Sequence, residues 1–173
     1  MSWTSALKKQ KTSSPTPTTS FARPTFPQHK VDWSRLVCID FETFYDADYT
    51  LKKMSTSEYI RDPRFKAQMC GLKVGNGKTR IIPANRIKAE LAKVNWTTFN
   101  LLCHNTQFDG FILSHHYGIH PAFLYDTLSM ARGLHSNEIG AGLDEVSVFY
   151  GGHGKLEGLE ATKGVLNWDK KLF

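Results

Sequence analysis

Asp40 and Glu42 stand two residues apart where the apolar run Val37-Cys38-Ile39 gives way to Phe41-Glu42-Thr43. Side chains alternate along a strand, so both carboxylates would share one face. Two like charges held a few ångströms apart and partly out of water are costly, and a cation between them relieves that cost. The chemical reading of this D-x-E is therefore a metal site, and the bland one is a solvated strand end. A second apolar run, Phe99 to Cys103, also ends in polar residues, His104-Asn105-Thr106-Gln107, followed by Phe108-Asp109. Phe108, Phe111, Ile112 and His115 recur at helical spacing, which puts Asp109 near a first helical turn, where the helix dipole favours a carboxylate.

The elements that must position these groups follow from the pattern of apolar runs. Leu36 to Phe41 predicts a buried strand, Ala67 to Val74 a second and Thr79 to Ile82 a third. Gly75-Asn76-Gly77-Lys78 tolerates positive φ and joins the last two as an antiparallel hairpin, giving a three-strand meander. Ile87, Leu91 and Val94 form one apolar stripe and predict a helix over 84–94 that crosses back over the sheet. Phe99 to Cys103 is a further strand, and the helix from Gln107 ends at Gly118. Leu124 to Thr127 reads as a short strand or cap, with Asp126 as an N-cap for the helical stretch Leu128 to Arg132. Gly142 to Tyr150 is the last helix candidate, closed by Gly151-Gly152.

Composition bounds the partners. The chain has 173 residues, 40% hydrophobic and 12% aromatic, enough for one domain with its own core. No run approaches the roughly 18 apolar residues of a membrane span, and no secretory apolar segment opens the chain, which predicts a soluble cytoplasmic protein. Cys38, Cys70 and Cys103 lie in apolar segments without C-x-x-C spacing and read as reduced core residues. Of the net charge of +6, residues 1–30 hold five basic and no acidic residues, whereas the remainder holds 17 basic and 16 acidic ones. That Ser/Thr/Pro-rich tail has little apolar surface to offset its ordering entropy, so disorder is expected, with order beginning near Val31 or Trp33. A basic tail on a nearly neutral body suits salt-sensitive contact with nucleic acid.

Asp40-Phe41-Glu42-Thr43 resembles the first motif, D-x-E, of the DnaQ-like (DEDD) 3′→5′ exonucleases, and Asn105-Thr106-Gln107-Phe108-Asp109 resembles the second, N-x-x-x-[YF]-D. Glu58 to Phe65 and Asp126 to His135 are similar to stretches of the proofreading domains of phage family A DNA polymerases. The resemblance spans about residues 36–165. It implies an α/β, RNase H-like mixed sheet flanked by helices, and phosphodiester hydrolysis by two hard cations about 4 Å apart. Mg²⁺ or Mn²⁺ suits oxygen ligands, and Asp40, Glu42 and Asp109 would supply them. By the same resemblance Asp40 bridges both ions, Glu42 binds one and Asp109 the other. Thr43 meets the 3′ end of single-stranded DNA through its backbone, Asn105 contacts substrate and Phe108 packs behind Asp109. The family's fourth acid, in a Y-x-x-x-D or H-x-x-x-D motif, has no counterpart after Asp109, since Asp169 follows Val165 at that spacing. The chain is therefore expected to be the N-terminal portion of a longer exonuclease or polymerase, or a shortened gene product. Residues 31–173 would form a domain lacking its last helix.

Other readings carry their own residues. A catalytically incomplete module that binds nucleic acid or protein is the alternative of a different class, and an RNA 3′→5′ exonuclease shares the fold. His115, His116 and His120 raise a zinc site, although no Cys or carboxylate completes a tetrahedral set. Gly151-Gly152-His153-Gly154-Lys155 lacks P-loop spacing and reads as a turn from which Lys155 approaches substrate phosphate.

Overall fold

The computed structural model describes residues 31–135 and 138–154. The basic tail and Lys155 lie outside them. After a 3₁₀ turn, Trp33–Arg35, the chain enters β1, Leu36–Thr43, then α1, Thr56–Arg61. β2, Ala67–Val74, and β3, Arg80–Pro83, follow as a hairpin, and α2 spans Ala84–Leu91. β4, Asn100–Cys103, leads into α3, Thr106–Tyr117. β5, Leu124–Asp126, leads into α4, Thr127–His135, and α5 covers Leu143–Phe149.

The five strands form one mixed sheet in the order β3-β2-β1-β4-β5. β2 runs antiparallel to both β1 and β3, as the meander reading expects, whereas β4 and β5 run parallel to β1. The central strand is thus the one that carries Asp40 and Glu42. Its register pairs Ile39 with Leu72, Asp40 with Gly71 and Phe41 with Cys70. Val37, Ile39 and Phe41 are buried and join Leu72, Cys70, Leu101, Ile87, Leu91, Ile112 and Leu113 in one cluster. Each such side chain contributes about 1.5–3 kcal/mol by leaving water, and together they fix which face of β1 turns inward. Strand alternation leaves Cys38, Asp40 and Glu42 on the opposite face.

Two elements depart from the sequence expectation. α1 is a helix where the sequence suggested only a polar connection. Ser55 caps it, with Ser55 and Glu58 bonded reciprocally through side chain and backbone, and Tyr59 and Ile60 bury its inner face. α2 ends at Leu91 rather than Val94. The amides of Lys93 and Val94 turn to the carbonyls three residues back, and the Trp96 indole takes the Leu91 carbonyl at 2.8 Å, which closes the last turn. Gly118, at φ 64°, ends α3 in the left-handed region as a glycine there should. All three cysteines are free thiols; burial pushes Cys70 up to about 12, with the charges of Asp109 and Asp40 adding to it.

Candidate functional site at the end of β1

β1 pairs with β4 only over Leu36 to Cys38, so beyond Cys38 the edge of β1 facing β4 has no strand partner. α3 fills that gap with a side chain. Asp109 Oδ1 accepts the Phe41 backbone N–H at 3.0 Å, across 68 residues of sequence. Asp109 is 3% exposed, and burial raises its carboxyl to about 7, against the pull of the Phe41 N–H and with the push of Asp40 and Glu42. Asp109 lies in the first turn of α3, as expected, and desolvation outweighs what the helix dipole offers a carboxylate there. Opposite, Asp40 is exposed and faces Gly71, where a Cβ would sit 3.7 Å from the Asp40 carbonyl oxygen. The strand beside Asp40 therefore puts no side chain in its way.

Three carboxylates thus gather at one strand end, and their oxygens are the donor type that a hard divalent cation takes. Among the described residues, however, no three His, Cys, Asp or Glu side chains converge into an ion-holding cluster. Asp109 spends one oxygen on Phe41, and the donor set fits the ion in chemistry rather than in present geometry. The histidines form no such cluster either. His116 Nε2 donates to the Ile60 carbonyl at 2.8 Å and its ring stacks on Phe65 at 4.1 Å, so it pins α3 to α1.

Thr43 closes the strand beside an aromatic cage. The Tyr59 hydroxyl lies 2.6 Å from the Phe44 carbonyl and 2.8 Å from Thr43 Oγ1. A phenol has one proton and a carbonyl can only accept, so Tyr59 donates to Phe44 and Thr43 donates to Tyr59. Thr43 Oγ1 is left with lone pairs to offer. Phe108 lies against the same tyrosine, ring centroids 6.1 Å apart, and Tyr49 stacks on it at 4.3 Å while donating to the Tyr59 carbonyl. Tyr59 was not among the residues singled out by sequence, although the Ser55-x-x-Glu58 box that places it was legible.

Asn105 sits at φ 87°, the one positive-φ residue other than glycine among the described residues. Its N–H donates to Asp126 Oδ1 at 2.9 Å, and the Thr106 hydroxyl donates to Asp126 Oδ2 at 3.2 Å. Asp126 also caps α4, taking the Leu128 N–H at 3.0 Å and the Ser129 hydroxyl at 3.0 Å. Burial raises its carboxyl and these bonds outweigh it, so the net shift is downward. Thr127 Oγ1 bridges the Cys103 carbonyl and His104 Nδ1, while His104 Nε2 is buried without a hydrogen-bond partner.

No family model matches the chain, and no curated protein matches it. Among solved structures, Brucella melitensis NrnC is similar with a TM-score of 0.58 and 15% identity, over 82% of this chain and 65% of that one. NrnC bound to pGG aligns with a TM-score of 0.58 at 16% identity, over 82% and 64%. NrnC with bound Mg²⁺ aligns at 0.56 and 15%, again over 82% and 64%. This chain spans less than two thirds of the length of these proteins. At such identities the likeness shows the fold, an α/β, RNase H-like mixed sheet flanked by helices.

Proposed function

We propose that the chain is the exonuclease domain of a metal-dependent enzyme that removes nucleotides from the 3′ end of single-stranded DNA, in the manner of a proofreading domain. The observation that carries this reading is the arrival of Asp109, from 68 residues downstream, against the Phe41 amide between Asp40 and Glu42. Asp40, Glu42 and Asp109 would hold Mg²⁺ or Mn²⁺. When bound, such ions supply a water-derived nucleophile and stabilise charge on the leaving oxygen. Burial holds a proton on Asp109 up to about 7, and a cation would have to displace it, so metal binding should strengthen as pH rises. Thr43 Oγ1, its own proton committed to Tyr59, presents an acceptor to the donor hydroxyl of a 3′ terminus. Asn105 would contact substrate, Phe108 holds Asp109's turn against Tyr59, and Lys155 would reach a phosphate.

The Mg²⁺ and pGG seen in the NrnC structures support a metal and an oligonucleotide for this site. The stretches Glu58 to Phe65 and Asp126 to His135 support a polymerase setting, with a downstream polymerase domain or separate subunit as partner. No described helix is long and apolar enough to cross a membrane, and a bacterial or phage-infected cytosol is the proposed location. A second reading, an exonuclease of RNA or short oligonucleotides, draws on the neighbour bound to pGG. DNA and RNA single strands of one sequence, labelled at the 5′ end and incubated with Mg²⁺ or Mn²⁺, decide among these. Stepwise 3′ shortening of DNA, abolished by Asp40→Ala, is expected. Faster decay of RNA selects the second reading, and binding without shortening in either metal selects the non-catalytic module.

A further inference from the structure

We propose that Asp126 is a positioning residue for the candidate centre, setting the turn that aims α3, and with it Asp109, at the end of β1. For its effect on turnover this rests on the nuclease reading; the positioning itself stands on the geometry. A left-handed φ is strained for a residue with a Cβ, and persists only where the surroundings impose it. Asn105 makes no side-chain cap bond of its own. What holds it is the Asp126 carboxylate, brought alongside by the parallel pairing of β4 with β5, in which Cys103 faces Asp126. One carboxylate thereby serves two helix starts. Oδ1 takes the amides of Asn105 and Leu128, and Oδ2 takes the hydroxyls of Thr106 and Ser129. Asp109 lies four residues beyond Asn105, about one helical turn, so the direction in which α3 leaves Asn105 decides whether Oδ1 of Asp109 meets the Phe41 amide.

The two duties of Asp126 can be separated. A serine caps a helix about as well as an aspartate, yet is too short to reach both Asn105 and Leu128. Asparagine keeps the shape, offering its oxygen to the two amides and its NH₂ to the two hydroxyls. Amide hydrogen exchange on the full chain, wild type against Asp126→Ser and Asp126→Asn, reads the outcome. In the serine variant the Leu128 amide stays protected while the amides of Asn105 and Phe41 exchange roughly tenfold faster or more. The asparagine variant restores both. On a labelled oligonucleotide, Asp126→Ser lowers kcat roughly tenfold with little change in KM, and Asp126→Asn recovers it. An unchanged Phe41 amide alongside a freed Asn105 amide overturns the proposal. So does acceleration spread evenly over β1, β2 and α2, because that reports a loss of stability rather than of aim. If the wild-type chain shortens no oligonucleotide, the nuclease reading fails while the exchange of Phe41 still decides the role of Asp126.

Discussion

Asp109 makes its pH dependence calculable in sign. Its folded carboxyl, raised to about 7 by burial and by Asp40 and Glu42, binds a proton more tightly than the unfolded one near 3.8. Stability is therefore greatest with the proton on, begins to fall above pH ~4, and has lost its full share, on the order of a few kcal/mol, once pH passes about 7. Asp109→Asn should stabilise the chain at pH 8 and change it little at pH 4, by urea unfolding. Added Mg²⁺ should raise the wild-type Tm at pH 8 and leave that of Asp109→Asn unmoved. Tyr59→Phe should cost about 1–3 kcal/mol, since it leaves the Phe44 carbonyl without its 2.6 Å donor. The carboxylates of the candidate site were legible as residue types and spacings. The raised carboxyl of Asp109 was not, because desolvation depends on the depth at which α3 packs, which no local pattern encodes.

At the scale of elements, β1 to β4, α2 and α3 declare themselves by apolar runs or stripes, Leu124 to Thr127 reads as either a strand or a cap, and the misreadings occur where a cap or a packing contact decides. α1 has six residues, too few to show a period, so its only local signal is the box formed by Ser55 and Glu58. Ser55→Ala should cost about 1 kcal/mol and speed amide exchange through α1, loosening the Tyr59 cage before the sheet. α2 illustrates the opposite error: Val94 continues the stripe, but the Trp96–Leu91 bond ends the helix first. α2 is tied to β3 by Glu90, which is 2% exposed and receives Arg80 and Lys93 at 2.7 Å and Arg86 at 3.1 Å. Lys93 and Arg80 hold this carboxyl down to about 2. The tie is present at neutral pH and is lost only as pH falls toward that value, so Glu90→Gln should destabilise at pH 7 and make no difference near pH 2. Asp126 was legible as a cap for α4; its bond to Asn105 required knowing that β4 and β5 lie side by side.

For the whole molecule, the charge partition carries a prediction of its own. The five basic residues of the first 30 should add up to about 3–4 to the salt slope of single-strand binding. Removing residues 1–30 should flatten that slope while leaving 3′ shortening dependent on Asp40. The strand order carries another. β1, β2 and β3 pair with near neighbours in sequence, whereas β1 must wait for β4 and α3 to cover its other edge. On a ribosome adding roughly 5–20 residues per second, the 68 residues between Phe41 and Asp109 correspond to several seconds of synthesis. Throughout that interval Asp40 and Glu42 are already on the nascent chain, beside a strand edge open to any other strand it meets. A chaperone that shelters this edge during translation should raise the yield of folded protein, and slowing elongation between β3 and α3 should lower it.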